Sequence, residues 1–209
     1  MRPESRRKTN DLRDRTSSSR GLCPASDFRL GSGDPHRPPR KGRALPEIVT
    51  IGPGLALHPV QPNEIPLLTQ LQRAAYEPWI PVLGLEPLPY RADYTTLLRD
   101  HEAWLVRTDD GTTAGALILS VPADHLLIWS VAVSATFAGR GIGRALIDFA
   151  EAEAARRNRR EVRLYTNALM ARNRALYRRL GYRETGHETM PDGRHVIHMA
   201  KSLAGSGQG

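Results

Sequence analysis

Apolar residues recur at helical spacing at Ile142, Leu146, Phe149, Ala150 and Ala154, which predicts a helix with one buried stripe. The run Arg156 to Arg160 closes it with positive charge at the negative end of the helix dipole. Strict alternation follows at Val162, Arg163, Leu164 and Tyr165, a short strand, and Met170 to Leu180 reads as a second helix stopping at Gly181. On that helix Asn173 and Tyr177 share a face. Upstream, Leu55–Pro59 predicts a first strand, and Asn63 an N-cap for a helix through about Tyr76 with Leu67, Leu68, Leu71 and Ala74 facing inward. Pro78, Pro81, Pro87 and Pro89 forbid one continuous helix between Glu77 and Arg91. Ala92 to Arg99 reads as a short helix. Glu102–Arg107 and Thr113–Val121 form a hairpin across Asp109-Asp110-Gly111, His125–Val133 is an apolar central strand, and His195–Lys201 alternates as a final strand. The order predicts an α/β (α+β) domain, a mixed, mostly antiparallel central sheet flanked by helices on both faces.

Between the central strand and the long helix lies Ala138-Gly139-Arg140-Gly141-Ile142-Gly143-Arg144. The first turn of a helix has N–H groups without intrahelical partners at the positive end of the dipole, and a phosphate fits there. Gly139, Gly141 and Gly143 let the loop take dihedrals closed to other residues and let a pyrophosphate approach the backbone, while Arg140 and Arg144 add charge. A Walker loop requires Gly-Lys-Ser/Thr, but Gly143 is followed by Arg144-Ala145. The dinucleotide fingerprint requires a third glycine where Arg144 or Leu146 stands. Both alternatives fail on spacing.

These residues resemble the GNAT superfamily of acyl-CoA-dependent N-acetyltransferases over roughly Val49 to Leu203. In that family the strand resembling Leu127–Val133 runs beside the pantetheine arm, and a Gln/Arg-x-x-Gly-x-Gly/Ala loop cups the pyrophosphate; Gly141-x-Gly143 matches, whereas the leading position is Ala138. The run Asn173-Arg-Ala-Leu-Tyr177-Arg-Arg-Leu-Gly181-Tyr182 looks like the family's Asn-x-x-x-Tyr-x-x-x-Gly-Phe/Tyr block. The resemblance implies acetyl-CoA as cosubstrate, backbone contacts from Val131, Ala132 and Val133, and Tyr177 near the CoA sulfur. It implies an acceptor site near Tyr76, Trp79, Tyr90, Tyr94 and Trp129. Many members carry a glutamate two residues before the Val-Ala-Val segment; here that position is Trp129.

Charge changes the picture less than a pI near 10.2 suggests. Residues 1–45 hold 12 Lys/Arg against 5 Asp/Glu, a net of +7 out of the chain's +8. The rest is nearly neutral, which argues against nucleic acid as a partner of the domain. Residues 1–46, rich in Ser, Pro, Gly and Arg and poor in large apolar residues, are expected to be a disordered basic extension. The domain is expected over residues 47–204, with a flexible end at 205–209. No apolar core of a secretory signal and no run near the roughly 20 residues that span a bilayer is present. The single cysteine, Cys23, lies in the extension, so no disulfide, thiol nucleophile or cysteine metal site is expected, and the chain is expected in the cytoplasm.

Acetyl transfer to an amine requires a held thioester, a deprotonated amine and a proton for the departing thiolate. The resemblance places Tyr177 near the CoA sulfur and a phenol is protonated at neutral pH, so Tyr177 is the candidate acid, against a reading as a core tyrosine beside Leu176 and Leu180. Asn173 hydrogen-bonds either pantetheine or local backbone, and Asn167 reads as a turn residue. For the base, Asp124, His125, Glu77 and Asp93 are candidates, each also readable as solvated surface. His187, His195 and His198 fall on the terminal strands at spacings that do not suit a metal, and no metal is expected. The expectation is direct acetylation of a primary amine on a small molecule or protein, with a non-catalytic acyl-CoA-binding domain of the same fold as the alternative. A homodimer is compatible with the chain.

Overall fold

The computed structural model describes residues 48–203; the expected basic extension and flexible end lie outside the described residues. Eight strands, β1 (Val49–Gly52), β2 (Leu55–Pro59), β3 (Glu102–Thr108), β4 (Thr113–Ser120), β5 (Leu126–Val133), β6 (Glu161–Asn167), β7 (Arg183–Thr189) and β8 (His195–Ser202), form one sheet in the order β1-β2-β3-β4-β5-β6-β8-β7. Every adjacent pair is antiparallel except β5–β6. A parallel pair needs a crossover, supplied by α5 (Ile142–Arg156).

The central strands β3, β4 and β5 are apolar on both faces because both are covered. On one face Leu117, Leu119 and Ile128 pack with Leu146 and Phe149 of α5. On the other, Ala116, Ile118 and Trp129 pack with Leu68 and Leu71 of α1 (Ile65–Tyr76) and with Tyr94 and Leu97 of α4 (Tyr94–Leu97). Alternation along β4 sends successive residues to opposite clusters, as a pleated strand must.

Along β5 that alternation breaks. Its register with β4 steps from Leu119↔Ile128 to Ile118↔Ser130, leaving Trp129 as an extra residue. A bulge exchanges the faces of everything beyond it. Val131 and Val133 thus rejoin the α5 cluster of Ile128, and Ser130 meets Gln72 of α1. The pairing of β5 with β6 also ends here, at Ile128↔Leu164, although both strands continue. Past this point the edge of β5 has no strand partner on the β6 side.

Several local expectations are corrected. Asn63 caps nothing: Pro62–Glu64 is a 3-10 turn in which the Gln61 N–H donates to Glu64 Oε2 at 2.8 Å, and α1 starts at Ile65. Ala74 is exposed, Leu67 is only half-buried, and Gln72 is fully buried on the inner face. The expected helix over 92–99 shortens to α4, because Asp93 accepts from Thr95 N–H at 3.0 Å and the Thr96 hydroxyl at 2.6 Å and so fixes its start. In the proline-rich segment α2 (Ile80–Leu83) and α3 (Leu88–Arg91) each carry a proline in their first turn, where its missing N–H costs nothing. Two strands, β1 and β7, extend the expected order at its rims.

Candidate active site

The turn before α5 builds a concave ring of backbone. Gly139 and Gly141 take φ of 78° and 81°, the left-handed region that favours glycine. An ideal Cβ at either would meet nothing within 4 Å, so the loop opens onto free space. The first intrahelical bond runs from Ala145 N–H to Gly141 O at 3.0 Å. The N–H groups of Ile142, Gly143 and Arg144 therefore precede the ladder and present donors at the positive helix end. This fits a pyrophosphate. Gly143 is helical, and a Cβ there would lie an ordinary 3.7 Å from Val133 Cγ2, so its expected dihedral freedom is not used. Arg140 stacks on Phe137 at 5.0 Å, and Arg144 pairs with Asp148 at 3.6 Å. Both flank the cradle, and Ala138 is exposed beside it.

Where β5 and β6 part, a cleft of about 80 Å³ opens, lined by Tyr76 and Trp129, by Tyr165–Asn167 of β6, by Met170, Asn173 and Tyr177, by Leu83 and Pro87–Pro89, and by Arg194 and Val196. Asn173 and Tyr177 belong to α6 (Ala171–Arg179). One wall is a hydrogen-bonded chain. The Ser130 hydroxyl donates to Gln72 Oε1 at 2.9 Å, so it has only acceptor capacity for the Tyr76 hydroxyl 3.2 Å away. The Tyr76 oxygen also lies 3.4 Å from Val131 O. Burial raises the Tyr76 pKa above its ordinary 10.0, and the Ser130 bond offsets only part of this.

Facing it, the Tyr177 hydroxyl makes no hydrogen bond among the described residues; the ring packs edge-on against Tyr182 at 6.1 Å. Burial, then the nearby Tyr76, pushes the Tyr177 pKa well above 10.0. Asn173 Nδ2 reaches only Met170 Sδ, at 3.6 Å. Asn167 takes the turn role, accepting from Leu169 N–H at 2.9 Å.

The family profile described as the acetyltransferase (GNAT) family matches residues 67–182, more than half of the chain, spanning β5, the glycine turn and α6. The chain belongs to the GNAT acetyltransferase family. Its activity is acetyl-CoA-dependent N-acetyl transfer to an amine. No curated protein sequence matches. Among solved structures, it is similar to the ribosomal-protein-S18-alanine N-acetyltransferase from Escherichia coli at 20% identity, covering 74% of this chain and 97% of that one with a TM-score of 0.59. The PaiA N-acetyltransferase from Thermoplasma acidophilum, solved with coenzyme A, is 14% identical and covers 71% and 99% at 0.59. A mutant of the spermidine N-acetyltransferase SpeG from Vibrio cholerae is 16% identical and covers 71% and 94% at 0.55. At these identities the likeness is one of fold.

Within this GNAT domain the remaining candidates separate. Tyr76 and Trp129 line the cleft. Tyr94 lies beneath it, edge-on to Trp129 at 6.3 Å with its hydroxyl on Pro89 O. Tyr90 faces a separate groove on the outer side of α1, under Arg73 at 5.9 Å, and Glu77 lines that groove. Trp79 ends a 3-10 turn and lines neither. His125 is buried rather than solvated, with Nδ1 2.8 Å from Asp124. It precedes β5, about 13 Å of extended chain from Trp129, so neither His125 nor Asp124 lines the cleft. His187, His195 and His198 pair separately with Glu184, Thr189 and Glu188, and no metal-binding cluster occurs among the described residues. No helix among them is long and apolar enough to cross a membrane.

Gln72, Ser130, Tyr165, Thr166 and Arg194 were not visible as site residues in the sequence. A signal existed for two: Gln72 falls one turn after Leu68 and one before Tyr76 on the apolar stripe of α1, and Ser130 is the lone polar residue in an apolar strand. A polar residue placed inward requires a partner, and these two are each other's.

Proposed function

We propose that the enzyme seats the acetyl-CoA pyrophosphate on the α5 N-terminus, lays the pantetheine arm along the open edge of β5 at Val131–Val133, and transfers the acetyl group directly to an amine entering past Tyr76 and Trp129. The observation that carries this reading is the parting of β5 and β6 between the glycine turn and Tyr177. The only cysteine, Cys23, lies outside the domain, which supports direct attack without a thiol-bound acyl carrier and a cytoplasmic setting. As the carbon–nitrogen bond forms and the carbon–sulfur bond breaks, charge gathers on sulfur, and Tyr177 donates its hydrogen bond there. A thiol titrates near pH 8.5 and the Tyr177 phenol well above 10.0. The tyrosine therefore shares its proton as charge builds, and the amine's own proton completes the thiol. Among the described residues lining the cleft there is no carboxylate or imidazole, so the amine arrives neutral or loses its proton to water. The Tyr76 hydroxyl, donating its O–H to Ser130, keeps oxygen lone pairs for the incoming N–H groups.

The test is an acceptor screen on the full chain with acetyl-CoA, reading free thiol. Amine-dependent thiol release is expected. Micromolar acetyl-CoA binding without release across amino acids, peptides, polyamines and aminoglycosides would replace the enzyme with an acyl-CoA-binding domain.

A further inference from the structure

The β7–β8 hairpin closes in a tight turn, with Met190 N–H on Arg194 O at 2.8 Å, Gly193 N–H on Met190 O at 2.9 Å, and Gly193 at φ 84°. This turn carries Arg194 into the cleft wall, where its side chain is only 11% exposed. Asp192 accepts the Arg194 Nε–H at 2.9 and 2.8 Å. The same carboxylate reaches Arg91 of α3 at 3.4 Å, tying the hairpin tip to the segment that supplies Pro87–Pro89. The Arg194 hydrogen bond holds the Asp192 carboxyl below its ordinary range, so the clamp stays ionised at neutral pH.

The cleft lining is aromatic, aliphatic and amide, with the Arg194 guanidinium as its one permanently charged group and no carboxylate among the described lining residues; Asp192 behind it is shared with Arg91, so this set of two guanidinium groups and one carboxylate keeps a net positive charge beside the cleft. In a half-enclosed site the sign of that charge selects ligands. A polyamine or aminoglycoside brings further ammonium groups near the reacting nitrogen, which a guanidinium repels. A carboxylate matches the planar fork of arginine. Resting on the acetyl transfer proposed above, we propose that the acceptor is a small amine bearing a carboxylate near its reacting nitrogen, and that Arg194 holds this carboxylate.

The experiment pairs each of a panel of L-amino acids with its amide, adds spermidine, and measures kcat/KM from thiol release, expressed per neutral amine, for the wild type, Arg194→Gln and Arg194→Lys. Expected is a preference of roughly tenfold or more for acid over amide, the usual weight of a hydrogen bond to a charged group. It should disappear in Arg194→Gln, persist in Arg194→Lys, and leave spermidine the poorest acceptor. The proposal is overturned if the acid-to-amide ratio is the same in Arg194→Gln, if the wild type shows no such ratio, or if spermidine is preferred. The wild-type ratio decides even where the glutamine variant fails to fold. Absence of thiol release with every amine would overturn the acetyl transfer itself and this inference with it, a result distinct from turnover with the wrong charge preference.

Discussion

The two faces of the sheet are built in opposite ways. On the α5 side, the 15-residue α5 lies over a continuous cluster that Tyr177 and Leu180 at the end of α6 also join, and the proposed phosphate cradle is simply the first turn of α5. On the other side, α1 is followed by three helices of four residues each, punctuated by prolines. A four-residue helix closes almost none of its own backbone bonds and depends on tertiary packing. α2 has the Gly84 N–H on Ile80 O as its closing bond, and α4 depends on its Asp93 cap. The proposed pyrophosphate seat is thus made of periodic backbone, while the proposed amine site is made of particular side chains such as Tyr76, Trp129 and Arg194.

The deepest cut into this comparison is Tyr177→Phe, which leaves both faces intact and removes one proton donor between them. Turnover should fall by roughly 10²- to 10⁴-fold with acetyl-CoA affinity unchanged by calorimetry; wild-type turnover would assign Tyr177 to the core. The same measurement over pH carries a sign. The Tyr177 and Tyr76 pKa values are both raised, so kcat/KM should climb with the neutral fraction of the amine and show no tyrosine-dependent fall below about pH 10. An alkaline limb near pH 8 would contradict both phenols.

Gly141→Asp addresses the α5 face alone. It places a side chain at φ 81° and a carboxylate where phosphate is proposed to sit, and should weaken CoA binding by about 10- to 100-fold, as an unfavourable charge costs a few kcal/mol. Unchanged affinity in the folded variant would remove the phosphate site. Gly115→Ala tests the bulged pair of strands, since its Cβ would stand 2.8 Å from Ala132 O; a loss of roughly 1–3 kcal/mol is expected in chemical denaturation. The smallest effect belongs to Gly143→Ala. Its new methyl meets only Val133 at ordinary contact, so stability should match or exceed the wild type by up to about 1 kcal/mol from helix propensity. Its CoA affinity separates a glycine needed for close approach from one that is not.

Legibility in the sequence follows the same division. Long periodic elements and the glycine turn were readable because each is a local statement: β4, β5 and α6 lie within a residue or two of their expected bounds, and α5 starts at Ile142 and stops at the first residue of the arginine-rich run expected to close it. β1 was missed because Val49–Gly52 is only four residues long. The placement of Arg194 was hidden because it depends on β8 pairing beside β6 and not on local spacing. His125 was misread because a histidine next to an aspartate in a loop resembles surface, whereas β5 draws it inward. Most consequential was the bulge. Leu126–Val133 reads as an unbroken apolar run, and nothing in such a run announces that its inside and outside exchange at Trp129.

An open strand edge is ordinarily a hazard, a template on which another chain can polymerise. The sheet's two rims are guarded against this: β1 is short, and β7 carries Arg183, Glu184, His187 and Glu188. The edge of β5 beyond Trp129 is uncharged and has no strand partner on the β6 side, where only the Tyr76 hydroxyl meets Val131 O, yet it stands at an internal seam of the sheet, between strands that are neighbours at their other ends. The fold thereby keeps an open strand edge beside β6, where the proposed slender ligand would lie, instead of at a rim, where a second protein's sheet would add to it.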